Sequence, residues 1–147
     1  MQPQEHQQPT YGDLRLIQSD LATAKSIRPG LSEVELIGTQ TEAHGLWLAR
    51  VTSAPGLVSP AHHHGPSEGA FYVLRGQLTF FFGPGLGQRV DVQAGDSIFV
   101  PAWTIHAEGN LGSEDVEVLA VRSTPEPIAF YLRDVSVPLE MRAATPT

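Results

Sequence analysis

The chain has 147 residues, of which 41% are apolar and 17% are charged, and its net charge is −7. This composition is typical of a single folded domain and excludes a disordered chain, and an acidic balance without a basic patch predicts that nucleic acid is not a partner. Because the chain has no cysteine, disulfides, thiolate metal ligands and a cysteine nucleophile are excluded.

The first residues predict an arm rather than a targeting segment. Residues 1–12 are rich in glutamine and proline and contain no apolar run, so we expect a flexible N-terminal arm and no signal peptide. No segment reaches the roughly 20 apolar residues of a membrane span. We therefore expect a cytoplasmic protein without a membrane partner. Residues 19–27 predict one short helix, with Ser19 or Asp20 as its cap.

From residue 33 onward, short apolar runs alternate with turn signals rich in glycine and proline. The runs predict strands at 33–37, 45–52, 70–75, 77–82, 88–92, 97–100, 116–121 and 127–132. Short strands at this spacing, with no helical crossovers between them, are typical of a β-sandwich or barrel. We predict an all-β fold with a single domain, 1–147, and a core at about 33–135.

Three consecutive phenylalanines, Phe80, Phe81 and Phe82, lie in one predicted strand. Because neighbouring strand residues face opposite sides, aromatic rings occupy both faces. Either the strand is buried on both sides within one core, or one face is an interface between subunits. We favour the interface, which predicts a homodimer.

The strongest chemical signal is the run His62, His63, His64. On a strand, His62 and His64 face the same side about 7 Å apart, and His63 faces the other side. Two imidazoles on one face can bind one metal ion if a neighbouring strand supplies a third ligand. The run lies inside a β pattern and not at a terminus, so a solvated polar tract is the weaker interpretation.

A second motif supplies the third ligand. A turn at Gly95 leads into an apolar strand, Pro101 ends that strand, and His106 opens the next one, followed by Asn110. A single histidine of this kind is more often structural than metal-binding. Together with His62 and His64, however, His106 is predicted to complete a three-histidine site.

The two motifs resemble those of the cupin superfamily over roughly residues 45–122. The first cupin motif reads Gly-x5-His-x-His-x3,4-Glu-x6-Gly, and the chain matches it with Gly56, His62, His64 and Gly76. The second reads Gly-x5-Pro-x-Gly-x2-His-x3-Asn, and the chain matches it with Gly95, Pro101, His106 and Asn110. The resemblance implies a double-stranded β-helix, a jelly-roll barrel that holds one divalent metal ion.

Two positions depart from the family pattern. Gly69 stands at the place of the motif glutamate, and Glu68, one residue earlier, would face away on a regular strand. Trp103 replaces the glycine of the second motif, which puts a large ring near the barrel mouth. Without the carboxylate, a bound ion keeps its full charge and is a stronger Lewis acid. The site is then also less like the two-histidine, one-carboxylate site of iron oxygenases.

His44 is the predicted fourth metal ligand. It begins a strand on which it shares a face with Leu46 and Leu48, and pairing through the 53–56 turn would place it roughly opposite His64. His63 and Glu68 remain alternatives. The predicted metal site is therefore His62, His64, His106 and His44, with zinc as the first choice and nickel, cobalt or iron as alternatives.

The pocket walls are predicted to be apolar and aromatic. The candidates are Leu46, Leu48, Phe71, Val73, Phe80, Phe82, Trp103 and Phe130. No arginine or lysine is expected to converge on the metal. This argues against a sugar phosphate or dicarboxylate as substrate and favours a hydrophobic, oxygen-bearing small molecule that is neutral or weakly acidic.

Small cupins with a His-His-His-Gly run and no motif glutamate are similar to polyketide cyclases of the resistomycin type. This resemblance implies a zinc or similar ion and aldol-type ring closure of a poly-β-ketone chain in antibiotic biosynthesis. A metal-bound water or a nearby side chain would act as the base. The alternatives are an iron(II) dioxygenase acting on a diketone, flavonoid or thiol, and a non-catalytic cupin that binds a metal or a small molecule. An isomerase is the weakest alternative.

Overall fold

The computed structural model describes residues 8–20 and 24–138 and arranges its strands in two sheets. The strands are β1 (Lys25–Arg28), β2 (Leu31–Ile37), β3 (Trp47–Ser53), β4 (His62–His63), β5 (Gly69–Arg75), β6 (Gln77–Phe82), β7 (Gln88–Gln93), β8 (Ser97–Val100), β9 (His106–Gly109), β10 (Val116–Arg122) and β11 (Phe130–Tyr131). Two short 3-10 turns, Thr39–Thr41 and Pro84–Leu86, are the helical elements of the described residues.

The two sheets pair strands that are distant in sequence. The first sheet has the order β1-β2-β3-β10-β5-β8, and the second has the order β11-β4-β9-β6-β7. The pairs are antiparallel, as in β3 with β10 and β4 with β9. The main core cluster contains residues of both sheets, such as Val118 of β10 and Phe80 of β6. The predicted all-β jelly-roll fold is confirmed.

The residues of β3 that point inward are shifted by one position from the predicted ones. Trp47 and Ala49 are buried in the main core, whereas Leu46 is 44% exposed and Leu48 is half-buried. The indole Nε1 of Trp47 donates a hydrogen bond to Glu35 at 2.7 Å, which helps to hold the ring in place. Because side chains alternate along a strand, a shift of one residue exchanges the two faces. The assignment of Leu46 and Leu48 to the pocket wall was therefore wrong.

The phenylalanine triplet lies between two clusters of the same chain. Phe80 belongs to the main core, and Phe81, only 3% exposed, belongs to a second cluster with Ala61, Leu86 and Ala107. Partly buried residues of the C-terminal segment pack against this second cluster, namely Leu132, Val135 and Val137. The chain itself thus covers both faces of β6. The homodimer remains a prediction, but these rings no longer support it.

The described residues of the predicted helix, 19, 20 and 24–27, are not helical. Residues 1–7 of the predicted arm and residues 21–23 of the predicted helix lie outside the described residues, and residues 8–20 are exposed without regular secondary structure. Lys25–Arg28 forms strand β1, which pairs antiparallel with β2. Gly30 adopts a left-handed φ of 83° in the turn between them, a conformation that glycine adopts without steric cost. The helix prediction was wrong at residues 25–27, and β1 precedes the predicted core.

Within residues 8–20 and 24–138, the structure contains no helix that is long and apolar enough to cross a membrane.

Candidate metal centre

Three of the predicted ligands converge inside the barrel. His62 lies on β4 directly opposite His106 of β9, and His64 follows His62 on the same side of the chain. Ligand atoms of the three rings all lie within 4.8 Å of one another. The side chains are buried, with exposures of 4%, 5% and 2% for His62, His64 and His106. This spacing allows the three rings to bind one ion.

Backbone carbonyl groups fix the orientation of each ring. The Nδ1–H groups of His62 and His64 donate to the carbonyl oxygens of Pro60 and Ile128 at 2.8 Å. His106 Nδ1–H donates to the carbonyl oxygen of Thr104 at 2.9 Å. A carbonyl accepts but cannot donate, so Nδ1 carries the proton and Nε2 keeps the lone pair that can accept a hydrogen bond or bind a metal. Hydrogen bonds of this kind typically orient metal-binding histidines.

Glu108 supplies a carboxylate that the sequence reasoning missed. It lies two residues after His106 on β9, and its Oε2 is 3.4 Å from Nε2 of both His62 and His106. Among the described residues, neither Glu108 Oε2 nor His106 Nε2 has a hydrogen-bond partner, although both atoms are buried. Buried polar atoms normally have partners. Imidazole nitrogens and a carboxylate oxygen suit a divalent cation, so these residues fit the metal that the motifs imply.

The protonation states also favour a cation. Burial, followed by the charge of Arg122, lowers the pKa of His64 to about 4. Burial likewise lowers the pKa of His106. Burial raises the pKa of Glu108, but attraction to the imidazoles in their protonated form and to the Arg122 guanidinium outweighs burial, so the pKa of Glu108 lies below its usual value. At neutral pH, His64 and His106 are neutral and Glu108 is ionised, the forms that bind metals.

Arg122 is the second residue that the sequence reasoning missed. Along β10, the buried positions are Val116, Val118, Ala120 and Arg122, so the alternation turns this arginine inward. Arg122 is 7% exposed, and its Nη2 donates to His64 Nε2 at 3.3 Å. The predicted strand ended at residue 121, one position before this arginine. The expectation that no arginine or lysine converges on the site was wrong.

Arg122 also occupies space beside the position of the absent family glutamate. A Cβ atom added to Gly69 would lie 3.1 Å from Arg122 Nη1. Glu68, the alternative on the same segment, is exposed, and its backbone N–H donates to Ser123 Oγ at 2.8 Å. The carboxylate that faces the histidines therefore comes from β9, inside the second motif between His106 and Asn110, and not from the first motif.

The structure places the other predicted ligands elsewhere. His44 is exposed in a bend before β3, and β3 pairs with β2 and β10 in the first sheet, away from β4. His44 is therefore not opposite His64 and is outside the three-histidine group. His63 faces away from that group, accepts a hydrogen bond from the Gly65 backbone N–H at 3.0 Å and stacks on Phe130.

The predicted aromatic residues have different positions. Phe71 lines the cavity, and Phe80 packs against Phe71 with ring centroids 5.4 Å apart. Phe82 is half-buried at the end of β6. Trp103 is 64% exposed and keeps a left-handed backbone, with φ of 63°, at the position where the cupin motif has glycine. Of these rings, Phe71 is the one that contributes to the cavity wall.

A cavity of about 490 Å³ adjoins the three histidines, a volume in the usual range for small organic ligands. Its lining includes His62, His64 and Glu108, and also Arg28 and Glu33 of the β1–β2 hairpin. The rest of its lining is largely apolar and includes Val51, Leu57, Phe71, Leu78, Val116, Val118 and Ala120. The centre is thus positioned to contact a bound small molecule.

A family model described as the cupin domain matches residues 49–122. The chain belongs to the cupin family. This cupin is 33% identical over 131 residues to auxin-binding protein 1 of Arabidopsis thaliana, a match that covers 82% of the chain and 64% of that relative. The match thus leaves about a third of that relative's length uncovered.

Solved structures support the fold of this cupin. An oxalate decarboxylase of Bacillus subtilis with Mn(II) centres matches with a TM-score of 0.66 and 22% identity, over 76% of this cupin and 30% of that chain. A recombinant oxalate oxidase in complex with glycolate matches with a TM-score of 0.64 and 24% identity, over 82% of this cupin and 65% of that chain. At these identities the likeness shows the shared fold alone.

Proposed function

We propose that this cupin is a metal-dependent enzyme that binds one divalent cation through His62, His64, His106 and Glu108. Its substrate is a small organic molecule in the adjoining cavity. The observation that carries this proposal is the convergence of three oriented imidazoles and a carboxylate oxygen without a hydrogen-bond partner beside that cavity. Both the metal and the activity are proposals made from these residues.

Each part of the site has a distinct role in the proposal. The carbonyl groups of Pro60, Thr104 and Ile128 hold the three rings in position. The ionised Glu108 offsets positive charge, and the largely apolar lining of the cavity contacts the substrate. A divalent cation bound there would supply Lewis-acid polarisation of a ligand oxygen.

Glu108 weakens the physical case for a polyketide cyclase. That hypothesis relied on an ion held by neutral imidazoles alone, whereas Glu108 Oε2 lies 3.4 Å from two of the three Nε2 atoms. A carboxylate ligand lowers the net charge of the centre by one and reduces its Lewis acidity. None of the three relatives described above is a polyketide cyclase. Ring closure of a poly-β-ketone remains a prediction that rests on the motif resemblance.

The carboxylate also changes the choice of metal to test first. Imidazole and carboxylate ligands together suit manganese and iron as well as zinc. The Bacillus subtilis oxalate decarboxylase with the same fold has Mn(II) centres. We therefore propose Mn(II) as the first metal to test, ahead of zinc.

Water proton relaxation tests whether a bound ion remains open to ligands. Four protein ligands leave positions free on Mn(II), which prefers about six oxygen or nitrogen donors. We expect stoichiometric Mn(II) to bind and to relax water protons more strongly than free Mn(II). A small-molecule ligand that reaches the ion should lower this enhancement. Tight binding with no enhancement would contradict an open site, and a failure to bind would contradict the metal proposal.

A metal-dependent binding protein is the second candidate, and the 33% identity to auxin-binding protein 1 favours it. The two candidates differ in the fate of the bound molecule. An enzyme changes the NMR spectrum of its ligand with time, whereas a binding protein returns the ligand unchanged. The same Mn(II)-binding residues serve both candidates.

A further inference from the structure

Arg122 is a buried cation with no close anionic partner. Its Nη1 donates to the carbonyl oxygen of Val121 at 3.1 Å, and its Nη2 donates to His64 Nε2 at 3.3 Å. Among the described residues, its Nε is buried without a hydrogen-bond partner, and no carboxylate forms an ion pair with it. Glu108 and Glu33 act on its charge at longer range. A buried guanidinium stays charged, and burial without a paired anion is costly.

A metal ion at the centre would remove one of these contacts. The lone pair of His64 Nε2 that accepts from Arg122 is the same lone pair that a cation would use. One lone pair cannot serve both partners. With His64 bound to a metal, Nη2 loses its acceptor, and the guanidinium then offers unsatisfied donors next to the metal. A planar, bidentate anion is the partner that best matches a guanidinium.

Apolar and aromatic groups surround this cation. The guanidinium carbon lies 5.0 Å from the ring centroid of Phe71 and 5.8 Å from that of Trp47. Both rings line the cavity, together with Val51, Leu78 and Val118. A ligand whose charged end meets Arg122 would therefore have its remaining atoms against apolar walls. The surroundings match a carboxylate attached to an apolar, ring-sized body.

We propose that Arg122 is the anion-binding residue of this cavity and that its ligand is a small carboxylate with an apolar body. This inference rests on the proposed function, because it places the carboxylate beside the metal held by the three histidines. It also replaces the expectation from sequence that no arginine or lysine of the site would contact the substrate. The residue is assigned to ligand binding and not to a chemical step.

Calorimetric titration with phenylacetate tests the proposal. We expect Mn(II)-loaded protein to bind phenylacetate, and Arg122→Gln to bind it at least about 10-fold more weakly, the loss expected for one charged hydrogen-bonding partner. Phenylacetamide, which has the same shape without the charge, should also bind at least about 10-fold more weakly to the unaltered protein. Arg50→Gln is the matched control, since Arg50 lies on β3 and pairs with Glu117 outside the cavity.

Several outcomes would overturn the proposal. These are equal affinity of folded Arg122→Gln and the unaltered protein, equal affinity for phenylacetate and phenylacetamide, or no phenylacetate binding to Mn(II)-loaded protein at millimolar concentrations. Electron paramagnetic resonance of Mn(II) keeps the two proposals separate. If the unaltered protein does not bind Mn(II), the metal proposal is contradicted. Titration of the metal-free unaltered protein and of metal-free Arg122→Gln with phenylacetate then still tests the role of Arg122.

A second pair of variants covers the case in which Arg122→Gln does not fold. Gly69→Glu places a carboxylate beside Arg122, because the added Cβ lies 3.1 Å from Arg122 Nη1. This atom is at the far end of the long arginine side chain, which can move slightly to make room. This carboxylate should compete with phenylacetate and weaken its binding at least about 10-fold, whereas Gly69→Ala should bind it normally. Equal binding by the two folded variants would overturn the proposal.

Discussion

Replacing His62 by alanine is expected to reduce the affinity for Mn(II) by at least about 100-fold. Loss of a residue that only orients a ligand typically costs about 10- to 100-fold, so loss of a ligand should cost at least the upper value. His62 is 4% exposed, and its Nε2 lies close to those of His64 and His106. Titration of the untagged protein, followed by electron paramagnetic resonance of free Mn(II), measures the change.

His63→Ala is the matched control for this variant. His63 adjoins His62 on β4, but its ring stacks on Phe130 with centroids 5.1 Å apart, on the opposite side of the strand. We expect this variant to bind Mn(II) with unchanged affinity. Equal losses in the two variants would mean that the metal binds to the histidine run as a surface tract and not inside the barrel.

Glu108→Gln is expected to weaken Mn(II) binding by about 10- to 100-fold or more, while the protein remains folded. Glutamine keeps the size of the side chain but removes the negative charge that faces two imidazole nitrogens at 3.4 Å. Neutral amides are weaker ligands than carboxylates for hard divalent ions. The same titration measures the affinity, and circular dichroism of the metal-free protein checks the fold.

Two variants separate Glu108 from the ligands expected from sequence. Glu68→Gln and His44→Ala change exposed side chains outside the three-histidine group, so both should keep the affinity for Mn(II). A loss in His44→Ala as large as that in Glu108→Gln would restore the four-histidine site. A loss in Glu68→Gln would indicate that the carboxylate comes from the first motif after all.

The metal-site residues that could be identified from the sequence belong to patterns of short-range spacing. His62 and His64 have the strand period of two, and the spacing of the second motif places His106 at the start of another strand. Each of these patterns is contained in a short stretch of sequence, so it can be recognised without knowing which strands pair. The same reasoning predicted an all-β jelly roll, because apolar runs and turns recur along the chain at short spacing.

The residues that it missed depend on strand ends and on pairing between distant strands. Every second residue of β10 is buried, and Arg122 is the last of these, one residue beyond the predicted end of the strand. Glu108 lies two residues after His106 on the short strand β9, so the two side chains share a face. His44 was placed by assuming that β3 pairs with the next strand in sequence, whereas β3 pairs with β10. Jelly-roll connections of this kind are not visible in local patterns.

Crystals of the protein grown with Mn(II) would test the metal centre most directly, through the anomalous scattering of the ion. We predict one strong anomalous peak per chain, in bonding contact with the Nε2 atoms of His62, His64 and His106 and with a carboxylate oxygen of Glu108. A barrel without a peak between these histidines, or a peak whose protein ligands exclude Glu108, would contradict the proposed centre.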